Sequence, residues 1–186
     1  MAKLLREDID RFYDYDIHVP SRTIFMGTEC DEDMAERFLK AMSLLDPAGT
    51  EITVVMNNTG GDEYHGMAIY DAIACSKCYV TVIAYGHAMS MGSWILQAAD
   101  KRIMAPNATL MIHYGTWLAD DHVKYFRVQN KEMERINGIM ENVYLSRLRE
   151  IDPKFPARKI RKMLEDEMFL SASDAVGLGL ADKVLE

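Results

Sequence analysis

Ser90 lies in the stretch GHAMSMGSW, residues 86 to 94, flanked by two methionines. A run that reads as strand, Tyr79-Val-Thr-Val-Ile-Ala-Tyr85, precedes it, and the apolar segment Trp94-Ile-Leu-Gln-Ala-Ala99 after it can continue as helix. A serine on a sharp strand-to-helix turn presents its hydroxyl at the end of a sheet, beside helix N–H groups. The hydrolase elbow G-x-S-x-G is matched incompletely, because Ala88 occupies the place of its first glycine. The local pattern leaves two readings, a nucleophile or an ordinary small turn residue.

A nucleophilic serine needs a base to take its proton and donors to hold the oxyanion it creates. His113 closes the run Thr109-Leu-Met-Ile-His113, which puts it at a strand end as Ser90 is. Histidine suits the base role because its side chain titrates near neutrality, and a structural, hydrogen-bonded histidine suits the same place. Gly60-Gly61 ends the stretch Asn57-Asn-Thr-Gly-Gly61 and is either a plain turn or a backbone free enough to aim an N–H into a cleft. These signals acquire meaning only in combination. Cys75-Ser-Lys-Cys78 is formally C-x-x-C, but no second cysteine pair could complete a zinc site. With Cys30 the cysteine count is odd, so no disulfide framework is expected and all three are read as reduced structural thiols.

The elements that must position these residues follow from periodicity. Thr23-Ile-Phe-Met26 reads as a short strand, and a helix follows from about Asp31 to Leu45, stopped by Asp46-Pro47. Glu51-Ile-Thr-Val-Val-Met56 is a buried strand, followed by a helix over about 63 to 75. Arg102-Ile-Met-Ala105 and Thr109-Leu-Met-Ile-His113 read as two more strands. A long amphipathic helix spans roughly Asp121 to Arg149, and Pro156 suits the first turn of a helix running to about Glu165. Ser171-Ala-Ser-Asp174 reads as a capping box whose helix stops at Gly177 or Gly179. Strands alternating with helices imply an α/β fold with largely parallel pairing, its chemistry carried by loops at strand ends.

Composition narrows the classes. At 186 residues without a linker or repeat, the chain suits one domain with a sizeable core. The net charge of −8 argues against non-specific nucleic-acid binding, which needs a basic footprint. The opening MAKLLREDIDRF carries charges where an export signal needs an apolar run, and no stretch has the length of a membrane span, so a cytoplasmic location is expected. Fourteen methionines suit adaptable core packing and self-association surface.

Taken in order, Asn57-Asn-Thr-Gly-Gly61, Gly66-Met-Ala-Ile-Tyr-Asp71, Gly86-His-Ala-Met-Ser-Met-Gly92, Pro106-Asn107 and Met111-Ile-His113 resemble the ClpP family, the proteolytic subunits of the ATP-dependent Clp protease. The block from Phe169 to Val184 resembles that family's C-terminal segment, so the likeness runs from about residue 13 to the end. The resemblance implies a ClpP/crotonase-like fold of repeated β-β-α units with a protruding handle helix, the handle region being about 114–149. It implies Ser90 as nucleophile, His113 as general base, and the backbone N–H groups of Gly61 and Met91 as oxyanion hole. The third member departs: the family's aspartate is Glu167 here, preceded by Asp166 as the alternative acid. No metal or organic cofactor is required by this chemistry.

The resemblance further implies a homo-oligomer, a heptameric ring stacked as a tetradecamer, that receives peptides or unfolded proteins from a ClpX-type or ClpA-type ATPase. Three departures bear on that assembly. Tyr114-Gly115 replaces the glutamine and proline after the histidine, and the 116–121 segment is shortened. Thr53, Val55 and Cys75 stand where the family's ATPase-docking pocket has aromatic residues. The segment before Tyr13 is short and charged. A stand-alone or virus-encoded member with another delivery route would show such changes. The competing readings are a non-catalytic ring subunit of the same fold and a crotonase-like acyl-CoA enzyme.

Overall fold

The computed structural model describes residues 15–27, 29–116 and 123–186; the segment before Tyr13 and most of the shortened 116–121 stretch lie outside them. The described strands are β1 (Ile17–His18), β2 (Thr23–Met26), β3 (Ile52–Asn58), β4 (Val80–Met89), β5 (Lys101–Met104), β6 (Thr109–Ile112), β7 (Met168–Ser171) and β8 (Lys183–Val184). They form one sheet in the order β1-β2-β3-β4-β5-β8, with β6 branching from β4 and β7 lying outside β6. Pairing is parallel throughout except at β1–β2 and β6–β7. The helices are α1 (Glu32–Leu45), α2 (Glu63–Ala74), α3 (Met91–Leu96), α4 (Val123–Ile151), α5 (Ala157–Glu165) and α6 (Ala172–Leu178). This is the mixed α/β arrangement the alternating pattern predicts.

Local chemistry accounts for the boundaries. Asp31 caps α1 by accepting the Met34 N–H, and Ala35, Phe38, Ala41, Met42 and Leu45 place one helix face in the core. β3 and β4 are rich in β-branched residues and supply the centre of that core, with Ile52, Val54, Met56, Val80 and Val82 all fully buried. Each such aliphatic side chain contributes roughly 1.5–3 kcal/mol by leaving water, so hydrophobic burial stabilises the sheet that carries the site. Ser171 caps α6 through the Asp174 N–H, and Gly179, at φ 81°, ends it in the left-handed conformation; Gly177 lies inside the helix.

Some expectations are corrected. The strand expected to stop at Tyr85 continues to Met89, because Gly86 at φ 62° kinks β4 without ending it. Before the kink β4 pairs with β5, through Thr81–Ala84; after it β4 pairs with β6, through His87–Met89. Pro156 caps α5 from outside the helix, in an extended conformation, instead of opening its first turn. The C-terminal segment is locked down by buried Arg102, which donates to Asp182, Gln97 Oε1 and the Gly179 carbonyl.

Candidate active site

The register of three strands brings the predicted residues together. Met89 on β4 pairs with Met111 on β6, so Ser90 and His113 leave neighbouring parallel strands at the same edge of the sheet. β7 runs antiparallel to β6 with Ile112 opposite Met168. One further step in that register sets His113 opposite Glu167. Strand pairing therefore brings together residues distant in sequence.

Ser90 sits at φ 52° and ψ −123°, a conformation that costs a non-glycine residue about 1–3 kcal/mol. Its amide donates to Met111 C=O at 2.9 Å, and its carbonyl accepts from Ser93 N–H and Trp94 N–H as α3 begins. Ser93 Oγ also donates to the Ser90 carbonyl at 2.7 Å and lies 2.6 Å from the buried Tyr144 hydroxyl of α4. The strained turn is thus held from β6, α3 and α4. Its hydroxyl lies 2.8 Å from His113 Nε2. Ala88, at the position of the missing elbow glycine, is completely buried in β4, where its small side chain fits.

On the other side of the ring, His113 Nδ1 is buried and lies 3.4 Å from Glu167 Oε1. That is an ion-pair distance without hydrogen-bond alignment, so Nδ1 has no aligned acceptor among the described residues. Glu167 adopts φ 51°, a left-handed conformation in the turn between α5 and β7. Asp166 is engaged elsewhere, as the C-cap of α5 and the acceptor of Lys162 Nζ. This ion pair raises the Lys162 ammonium above its ordinary range. Of the two candidate acids, Glu167 is the one brought to the histidine.

The glycine turn closes against the serine. A Cβ on Gly60, whose φ is 104°, would stand 2.6 Å from Ser90 Cβ and 3.1 Å from Met91 N. No side chain fits there. Gly61 forms a parallel bridge with Cys30 that uses the Gly60 carbonyl and the Asp62 amide, leaving the Gly61 amide on the opposite side of the chain from Cys30. Met91 is the first residue of α3, and helix geometry gives its N–H no acceptor within the helix.

Sequence reasoning passed over the residue that organises this turn. Asn58 is fully buried; its Nδ2 donates to Gly27 C=O at 2.7 Å, while Oδ1 accepts the Gly60 amide at 2.9 Å and the Cys30 thiol at 3.3 Å. A Cβ on Gly92 would meet that same Oδ1 at 2.6 Å, so α3 also seats directly on Asn58. An asparagine ending a run of alternating buried positions in β3 was the available signal. Burial raises the Cys30 thiol to about 12, against the lowering effect of its bond to Asn58, so Cys30 is a neutral packing residue at neutral pH. All three cysteines are free, with Cys30 and Cys78 buried and Cys75 exposed at the end of α2.

A cleft of about 510 Å³ between β1 and α1, lined in part by Tyr15, Val19, Arg37 and Leu44, contains neither Ser90 nor His113. The serine and histidine instead follow the C-terminal ends of β4 and β6, each of which is paired on both sides there. Among the described residues no cluster of histidine, cysteine or carboxylate side chains could hold a metal ion, and no helix is long and apolar enough to cross a membrane.

The chain is 34% identical over 182 residues to the ATP-dependent Clp protease proteolytic subunit of Deinococcus radiodurans, covering 95% of this chain and 87% of that protein. Its fold superposes on a point mutant of ClpP1 from Listeria monocytogenes with a TM-score of 0.78 and 26% identity, covering 90% of this chain and 93% of the other. The family model for Clp protease matches residues 7–186, nearly the whole length, and by that match the chain belongs to the Clp protease family.

Proposed function

We propose that this chain is a serine endopeptidase that hydrolyses peptide bonds of peptides or unfolded proteins inside a homo-oligomeric chamber. The observation that carries the reading is the 2.8 Å contact of Ser90 Oγ with His113 Nε2 on a strained turn. Ser90 Oγ attacks the scissile carbonyl carbon while His113 Nε2 takes its proton. The carbonyl oxygen becomes an oxyanion held by the amides of Gly61 and Met91, which approach it from the glycine turn and the start of α3. His113 then passes the proton to the leaving nitrogen, the C–N bond breaks, and an acyl-enzyme remains on Ser90. Water attacks this ester with His113 again as base; the acid product leaves and the proton returns to Ser90. Glu167, 3.4 Å from Nδ1, balances the imidazolium by its charge. The residues and steps require neither metal nor organic cofactor.

Family membership supports a ring assembly, which we place in the cytoplasm, with heptameric rings stacked as a tetradecamer and an ATPase of the ClpX or ClpA type as the feeding partner. Thr53 and Val55 are half-buried on β3 and Cys75 is exposed, so the proposed docking face carries small side chains where the family has aromatic ones. Hydrolysis of a fluorogenic peptide tests the reading, combined with native mass measurement. Turnover at a mass of seven or fourteen chains, abolished in Ser90→Ala, is the expected result. A correctly assembled wild-type ring without turnover would instead identify a non-catalytic subunit.

A further inference from the structure

Beside the serine and histidine, a hydrogen-bonded bridge joins the residue after the histidine to the helix that leads into Glu167. Tyr114 OH donates to Glu141 Oε1 on α4 at 2.6 Å, and Arg161 Nε on α5 donates to Glu141 Oε2 at 2.9 Å. The main chain repeats the tie, since Tyr114 N–H donates to Leu164 C=O at 3.2 Å. Glu141 thus spends one carboxylate oxygen on each side of the gap. The Glu141 side chain is 19% exposed and that of Arg161 59%, so the Tyr114 end of the bridge is shielded while the Arg161 end faces solvent. Burial, then the bond to Glu141, pushes the Tyr114 phenol well above its ordinary range, which keeps it a donor.

Direct contact does little to fix the histidine against its acid. His113 stands one residue past the end of β6, Glu167 occupies a left-handed turn, and no aligned hydrogen bond joins them. The pairing of Ile112 with Met168 brings the two residues opposite each other, and their finer spacing is left to what holds the chain on the far side of each. Tyr114 is adjacent to His113, and α5 ends at Glu165, just before the turn that carries Glu167. We propose that Tyr114, Glu141 and Arg161 act as a positioning bridge that sets the distance between His113 and Glu167. The inference rests on His113 and Glu167 acting as base and acid in the proposed peptidase.

Tyr114→Phe removes the hydroxyl without changing charge or ring shape, Arg161→Gln removes the far end of the bridge, and Arg161→Lys keeps a cation there. Each assembled variant is assayed for kcat and KM on a fluorogenic peptide, with melting temperature and native mass as controls. Because a small displacement of reacting groups costs rate before it costs binding, Tyr114→Phe and Arg161→Gln should each lower kcat about three- to tenfold with KM within about twofold. Members of one bridge couple, so the double variant should fall no more than about twofold below the worse single variant. Arg161→Lys should recover at least about half of the kcat lost in Arg161→Gln. Wild-type kcat in a fully assembled Tyr114→Phe, or multiplicative losses in the double variant, would overturn the bridge while leaving the peptidase intact. Absence of turnover in the wild-type ring would overturn the peptidase and the bridge's role together.

Discussion

Removing the Glu167 carboxylate should slow peptide hydrolysis far less than loss of the acid does in a tightly hydrogen-bonded triad. The carboxylate lies 3.4 Å from Nδ1, its side chain is 60% exposed, and it makes no aligned bond to the ring. Two unit charges at that distance attract by about 1 kcal/mol at the dielectric of bulk water and about 5 kcal/mol at the effective value near a protein surface. Exposure places this pair towards the watery limit, so the imidazolium formed in the transition state gains about 1–2 kcal/mol from Glu167. That corresponds to a fall in kcat of roughly 5- to 30-fold for Glu167→Ala. Losing the acid of a buried, aligned triad costs roughly 10⁴-fold. Glu167→Gln should match Glu167→Ala, because charge and not an aligned bond supplies the effect. Asp166→Ala should stay within about twofold of wild type, since its carboxylate faces Lys162. Steady-state kinetics on a fluorogenic peptide read all three. A loss beyond about 10³-fold in Glu167→Ala, or an Asp166→Ala enzyme as slow as Glu167→Ala, would refute the reasoning.

Further outcomes follow from the same geometry. Gly60→Ala places a methyl 2.6 Å from Ser90 Cβ at a φ of 104°, so Ser90 must shift. With displacement approaching 1 Å, kcat/KM should fall about 100-fold, and calorimetry should show a melting temperature lowered by strain of about 1–3 kcal/mol; kinetics within threefold of wild type would contradict the packing. A thiol reagent at pH 8 should modify exposed Cys75 rapidly in the folded protein and leave Cys30 untouched, because burial holds that thiol neutral up to about pH 12. Peptide mapping after brief labelling checks this, and early modification of Cys30 would contradict its burial.

Much of the architecture was legible because it depends on patterns the chain displays openly. The helix expected from about Asp31 to Leu45 and the apolar β3 follow from periodicity and turn chemistry. β4 was cut short at Tyr85 because a glycine normally punctuates a strand, whereas Gly86 serves as a kink where the strand exchanges β5 for β6. β1 and β8, each two residues long, lack enough sequence to show a period. Motif order pointed to Ser90 and His113. The preference for Glu167 over Asp166 gains its physical reason only from the β6–β7 register, which local sequence does not contain. Asn58 and Glu141 escaped notice for the same reason: apart from the Gly60 amide, their partners lie 20 to 31 residues away.

The most direct test of the central claim is intact and peptide-level mass spectrometry after treatment with a fluorophosphonate, which labels a serine only when a base activates it. One adduct per chain, on Ser90, absent in Ser90→Ala and much slower to form in His113→Ala, is the predicted result. An assembled protein that takes up no label on Ser90, or labels equally fast without His113, would contradict the assignment of this site as a serine peptidase centre.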